Sequence, residues 1–261
     1  MAKDRLLIQP VSMDLAWNDP EENLKRMERL LRARLERSKQ APPESQIFVF
    51  PELTLTGFVT KEPVSFSLKP PSPFVERLSR LASQFKTGLV AGFPEANPAD
   101  PARPYNAAAL FGPDGGIAAS YRKMKLFTAG SSPEASVYAP GDSIKTVDYR
   151  GWKIGFAICF DIRFPEIFVD YAKARADLVV IPACWIGGPH KSLQFRTLAV
   201  AHAVWTQAYV LAVNRSGRDP FYEYDGSEYV FSPFGESVYR GEPVPLDEKT
   251  LEECRKLAVP R

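Results

Sequence analysis

Three residues able to open a carbonyl group each stand just past an apolar, β-prone run. Glu52 follows QIFVFP, Lys123 follows IAASYR and Cys159 follows WKIGFAI. A cysteine attacks as its thiolate, so it needs a group that takes its proton. A carboxylate does this when partial burial raises its pKa, and the IFVF run with Pro51 supplies an apolar wall for Glu52. A buried Lys123 ammonium then holds positive charge beside carboxylates and offers donors to a developing oxyanion. Together these groups suit the addition of a thiol to a carbonyl or nitrile carbon. Taken singly each has a plainer reading, since buried free cysteines are common and inert and a strand-end Glu or Lys is usually solvated. A histidine is the other base to weigh. His190 lies in the loop GGPHK and stays open as a Cys–His partner, whereas His202 falls inside a helical stretch and reads as a packing or surface residue.

Such groups must be positioned by a scaffold, and the chain alternates short apolar strands with amphipathic helices. Strands are expected at 5–10, 46–52, 88–93, 177–185 and 208–217, and a strand ending before Cys159 leads into a helix over 167–176. The segment 18–39 reads as a helix with Asp19 as N-cap, Pro20 in the first helical position and Glu22 at the capping-box position. Leu24, Met27, Leu30, Leu31 and Leu35 form its apolar stripe. Further helices are expected at 73–85, 191–207 and 246–257. NAAALFGPDGG followed by IAASYRK reads as a hairpin, and EYVFSPFGESVYR (228–240) as a second one turning at Pro233-Phe234-Gly235. The sheet is therefore expected to be mixed. Residues 126–142 are rich in Gly, Ser and Pro and read as a long loop of the kind that tends to be functional. With no linker or low-complexity tract in view, residues 1–261 read as a single domain.

The composition narrows the function classes. Apolar residues make up 45% and charged residues 25%, an ordinary globular balance with enough chain for a sizeable core. A formal charge of +2 gives no electrostatic case for nucleic acid or an anionic membrane. The basic run at 29–39 alternates with apolar residues and reads as a helix face. No stretch approaches a membrane span and the N-terminus lacks a signal-peptide core. Three scattered cysteines, Cys159, Cys184 and Cys254, do not make a disulfide framework, so a reducing cytoplasm is expected. Two histidines and no CxxC give no zinc site, and no metal or cofactor is expected. Cys184 is expected to be structural and Cys254 a surface or packing residue.

FPE at 50–52, YRKMKLF at 121–127 and ICFDIRFPE at 158–166 resemble, in order and spacing, the three signature motifs of the nitrilase superfamily of carbon–nitrogen hydrolases. The resemblance runs from the first strand to the hairpin near 240, and VNRSG (213–217) and SPFGE (232–236) resemble two weaker landmarks. It implies an α/β fold, a four-layer α-β-β-α sandwich with two mixed sheets inside. It implies a catalytic triad of Glu52, Lys123 and Cys159, with Glu134 as a second catalytic glutamate in the loop after the lysine strand. The backbone N–H of Phe160 would then face the substrate carbonyl, and Trp185, otherwise a core aromatic, would line the substrate pocket. Asp161 and Arg163 read as a turn-locking ion pair. Lys125 replaces a histidine common in the family. ICxDxRFPE resembles the branch of small-amide hydrolases, ω-amidases and amidases acting on deaminated glutathione. Such substrates carry a carboxylate, for which Arg163, Lys191 and Arg196 are the candidate cations. The partner is thus a small-molecule amide, the product ammonia and a carboxylic acid, and a homo-oligomer, a dimer or higher, is expected. An N-carbamoyl amino acid hydrolase and a catalytically silent binding protein on the same fold are the competing readings.

Overall fold

The computed structural model describes residues 3–38, 41–59, 65–66, 72–128 and 134–257. Two mixed sheets are built. The first contains β1 (Leu7–Pro10), β2 (Gln46–Val49), β3 (Gly88–Glu95), β4 (Tyr105–Phe111) and β5 (Ile117–Arg122). The second contains β6 (Thr146–Tyr149), β7 (Trp152–Phe156), β8 (Leu178–Ala183), β9 (Tyr209–Asn214) and, after the small hairpin of β10 (Ser216–Arg218) and β11 (Glu223–Asp225), β12 (Glu228–Phe231). A two-residue strand, β13 (Val244–Pro245), returns to the edge of the first sheet beside β1. The orders are β13-β1-β2-β3-β4-β5 and β12-β9-β8-β7-β6. In the first, β1, β2 and β3 are parallel and β4 and β5 return antiparallel; in the second, β7, β8 and β9 are parallel between antiparallel edges.

The first sheet divides two apolar cores, and side-chain alternation decides which residue enters which. From β2 and the residue after it, Ile47 and Val49 join a core shared with the second sheet, while Phe48 and Phe50 face the opposite way. On that outer side lie α1 (Pro20–Arg37), through Leu24, Met27 and Leu31, and α2 (Pro73–Phe85), through Val75, Leu78 and Ala82. The second sheet is covered by α3 (Pro165–Lys173), through Ile167, Phe168 and Tyr171, and by α4 (Lys191–Thr206), through Phe195, Ala199 and Ala203. The layers are helix, sheet, sheet, helix, as expected for the sandwich. The last helix, α5 (Glu248–Leu257), follows β13.

Local signals set most boundaries. Asp19 caps α1 by accepting the Glu22 amide at 3.0 Å, and Pro20 occupies the first turn. Glu22 does not close a reciprocal capping box; its carboxylate takes Arg26 Nε at 2.9 Å instead, the i,i+4 partner that also satisfies it. The hairpin at 112–116 forms as expected. The one at 228–240 is reduced to β12 and a single bridge between Phe231 and Ser237. Strands β6, β11 and β13 are additions to the expected set, and the strand expected over 208–217 is divided at Arg215 into β9 and β10. Cys254 lies on α5, buried, with its thiol toward Pro233 O at 3.4 Å.

Strand direction places the chemistry. β5 runs parallel to β2, so Glu52 and Lys123, just past their ends, reach the same edge of the first sheet. β4 runs the other way, so its second residue, Asn106, starts at that edge, and its carbonyl accepts the Lys123 amide at 2.8 Å. Cys159 and Cys184 follow the parallel strands β7 and β8 and bring the second sheet's carboxyl end to the same place, where ligands bind in sheets of this kind.

Candidate active site

The deepest part of the site is a closed ionic cluster. Lys123 Nζ lies 2.8 Å from Glu52 Oε1 and 2.8 Å from Glu134 Oε2, with all three side chains at most 1% exposed. Asn106 Nδ2 donates to both carboxylates, at 2.7 Å to Glu52 Oε1 and 2.7 Å to Glu134 Oε1. The Cys184 amide donates to Glu52 Oε2 at 2.7 Å, and the Phe127 amide to Glu134 Oε2 at 2.8 Å. Each carboxylate therefore accepts three hydrogen bonds, which is how a buried charge is held without water. Burial opposes the Lys123 charge, but Glu134 and Glu52 outweigh it and lift its pKa well above the usual lysine value. Glu134 is pushed up, by burial first and by the neighbouring Glu52 charge, against the pull of Lys123. Two close backbone approaches allow this packing. A side chain at Gly92 would collide with the Leu53 amide beside Glu52, and one at Gly141 with the Arg122 carbonyl beside Lys123. Glu134 itself sits in a short 3-10 turn (Glu134–Ser136) within the stretch read as a long loop.

Cys159 opens a second 3-10 turn (Cys159–Arg163) between β7 and α3, with φ at +47°. A non-glycine residue there is strained and persists only where its surroundings hold it. Asp161 supplies much of that restraint. One of its oxygens accepts the Ile158 amide at 2.9 Å and the Tyr121 hydroxyl at 2.8 Å; the other accepts the Lys125 amide at 2.8 Å. So Asp161 locks the turn, yet not by pairing with Arg163 as expected. It is fully buried and satisfied by hydrogen bonds, whereas Arg163 is exposed and donates to Gln194 Oε1 at 2.7 Å. Burial raises the Asp161 pKa to about 6. The Lys125 side chain turns away to Glu166, at 3.0 Å. Burial first, and then the Glu52 charge, push the Cys159 thiol well above its usual pKa. At rest the sulfur is protonated.

In front of the cluster is a narrow cavity of about 40 Å³, lined by Lys123, Cys159, Cys184, Phe58, Phe127, Phe160, Arg163, Trp185, Ile186 and Lys191. Trp185 is both core and wall. It stacks on Phe195, its amide and carbonyl are clamped by the Asn214 side chain, and its indole N–H donates to Lys191 O at 2.8 Å. Arg163 lies over the Trp185 ring, 4.7 Å from its centroid. Among the described residues neither Arg163 nor Lys191 pairs with a carboxylate. Arg196, the third cation expected here, is instead exposed near Phe231, outside the cavity. His190 is exposed at the start of α4 with no place in the cavity, and His202 is buried among helices. Glu52, Lys123, Cys159, Glu134, Phe160 and Trp185 are thus brought together, and Asn106 and Cys184 join them. Asn106, second residue of β4, carried no signal of its role in the sequence. Cys184 contributes through its backbone, which no residue type reveals.

A sequence model of the Carbon-nitrogen hydrolase family matches residues 7–250. The chain belongs to the carbon–nitrogen hydrolase family, the nitrilase superfamily. It is 30% identical to the ω-amidase NIT3 of Saccharomyces cerevisiae over 100% of this chain and 94% of that protein. It is 32% identical to the ω-amidase NIT2 of Xenopus tropicalis, over 91% and 84%. The crystal structure of Saccharomyces cerevisiae Nit3, a member of branch 10 of the superfamily, superposes with a TM-score of 0.84 at 26% identity, covering 98% of this chain and 94% of the other. As a member of this superfamily the protein is an amidase-type hydrolase of carbon–nitrogen bonds.

Proposed function

We propose that the protein hydrolyses a small amide whose acyl chain ends in a carboxylate, through a thioester on Cys159, as an ω-amidase does. The observation that carries this reading is the contrast inside one cavity: a Glu–Lys–Glu cluster beside the thiol, and at the mouth two cations without carboxylate partners among the described residues. The reaction follows from the geometry. Glu52 takes the Cys159 proton as sulfur bonds to the carbonyl carbon, because the resting thiol is not ionised. The oxygen gains the charge that the Lys123 ammonium and the Phe160 amide meet. Cys159 and Phe160 lead a 3-10 turn whose first N–H groups have no acceptor within the turn. Glu52 then returns the proton to the leaving nitrogen, the C–N bond breaks and ammonia departs. Water, giving its proton to Glu52, attacks the thioester and releases the acid and the thiol. Glu134 holds Lys123 in line throughout. Arg163, kept planar against Trp185 and bonded to Gln194, receives the substrate carboxylate, with Lys191 beside it.

Residues 1–261 are taken to act as one domain, since one apolar core runs from the inner face of the first sheet through the second to α3 and α4. A cytoplasmic setting is supported by three free cysteines. A homodimer is supported by apolar Val169 and Trp205, exposed together on the α3–α4 face; light scattering at micromolar concentration reads it directly. Among the described residues no helix is long and apolar enough to cross a membrane.

The test is an ammonia-release screen over monoamides of dicarboxylic acids, N-carbamoyl amino acids, nitriles and neutral aliphatic amides. Turnover should be highest on the monoamides and vanish in Cys159→Ala, with an acyl adduct on the wild type by intact mass. A preference for neutral amides or nitriles would overturn the substrate class, and an active Cys159→Ala protein the mechanism.

A further inference from the structure

Helix α4 touches the nucleophile's turn from behind, at two points eight residues apart on one face. Gln194 holds Arg163, and His202 Nε2 lies 2.7 Å from the carbonyl oxygen of Ile162. That carbonyl belongs to the last turn of a five-residue 3-10 segment, where carbonyls lack partners within the helix. The His202 ring is 1% exposed and stacks on Phe168 of α3, centroids 3.5 Å apart and planes 7° from parallel. Trp205 packs edge-on at 5.7 Å.

The tautomer follows from these contacts. A carbonyl only accepts, so Nε2 carries the proton and donates it. Nδ1 has no hydrogen-bond partner among the described residues, as befits a bare lone pair. Burial lowers the His202 pKa to about 4, so the ring is neutral near pH 7 and this single N–H is the donor. The distance, the stack and the burial fix its direction. On the other side of the same turn Cys159 is held at φ +47°, a conformation that relaxes unless something outside the turn restrains it. Asp161 restrains the front of the turn from β5 and the lysine loop. His202 restrains its back.

On the reading that Cys159 is the nucleophile, we propose that His202 is a positioning residue, whose Nε2–H bond to Ile162 O holds the turn in the geometry from which the thiol attacks. Its loss is a misplacement of the nucleophile, not a loss of any group that touches substrate.

Two substitutions separate this from packing. His202→Phe keeps a flat ring against Phe168 but has no donor; His202→Gln has a side-chain N–H at similar reach but no stacked ring. Both are measured per folded molecule, as kcat, KM and the rate of Cys159 alkylation by iodoacetamide, alongside melting temperature. We expect His202→Phe to lower kcat roughly 10–100-fold with KM unchanged, since small displacements of reacting groups cost this much. Alkylation of Cys159 should slow in parallel, and His202→Gln should recover most of both losses even where it melts lower. A normal kcat and alkylation rate in His202→Phe would overturn the proposal. So would equal impairment of the two variants, the result of a packing role. If His202→Phe does not fold, His202→Gln decides alone: near-normal kcat and alkylation despite the lost stack support the bond, and impaired ones refute it. Failure of the thioester mechanism is seen separately, as turnover by Cys159→Ala, and leaves the alkylation readout intact.

Discussion

The back of the cavity and its mouth are built by opposite rules. At the back, Glu52, Lys123 and Glu134 are almost without exposure; Lys123 Nζ donates to both carboxylates, and each carboxylate also accepts from neutral donors. At the mouth, Arg163 is fixed by neutral and aromatic groups, Gln194 and Trp185, and among the described residues its charge has no carboxylate to neutralise it. Such a cluster cannot rearrange cheaply, since removing one partner strands the others. That suits a step whose charges move by one atom. An unpaired surface cation costs little and lends its charge to whatever anion arrives. On the proposed function, the back fixes which bond is broken, and the mouth which molecule is held while it breaks.

The severest break in that comparison is Lys123→Ala. Two carboxylates are left facing each other without their cation, so stability falls by about 3–5 kcal/mol. Loss of an oxyanion donor lowers the rate per folded molecule roughly 10²–10³-fold. Lys123→Arg does not rescue it, because a planar fork does not fit the space of an ammonium. Melting and turnover on one preparation check both; a normal rate in the folded fraction would reduce the lysine to a structural part.

Asp161 sharpens the comparison, because it is buried like the back cluster but has no cation bonded to it. Its folded pKa of about 6 lies above the ordinary 3.8. The fold therefore favours its protonated form, and its contribution to stability is fully present below pH 3.8 and lost as pH rises through 6. The shift corresponds to about 3 kcal/mol at most. Thermal melts of wild type and Asp161→Asn at pH 4 and pH 7 should show the wild type losing ground to the variant at the higher pH. Parallel profiles would show that the hydrogen bonds from Ile158, Lys125 and Tyr121 already meet the cost of burial.

Smaller effects belong to the mouth. Arg163→Gln should lower kcat/KM roughly 10–100-fold on amides bearing a carboxylate, the value of one charge-assisted contact. Neutral amides should change little. Lys191→Ala, removing a more mobile and partly solvated charge, should cost only about 2–5-fold on the same substrates. If both variants lose neutral and charged amides equally, the mouth shapes the cavity rather than selecting charge.

The amino-acid order by itself determined the alternation of strands and helices, the cap at Asp19, the hairpin at 112–116 and the sharp turn at Cys159. In each, the deciding contacts lie within a few residues, so periodicity and turn chemistry suffice to read them. It also marked Glu52, Lys123, Cys159 and Glu134, because their motifs are local in the chain. Tertiary structure alone decided what completes them. Asn106 reaches Glu52 across 54 residues, the Cys184 amide reaches it across 132, and His202 meets Ile162 across 40. The short edge strands β6 and β13 likewise form only because a neighbouring strand offers its free edge. The same cause separates Asp161 from Arg163, neighbours in sequence that the 3-10 turn points in opposite directions, one into the core and one into solvent. Partners of this kind are chosen by where strand ends converge, and no spacing along the chain encodes that convergence.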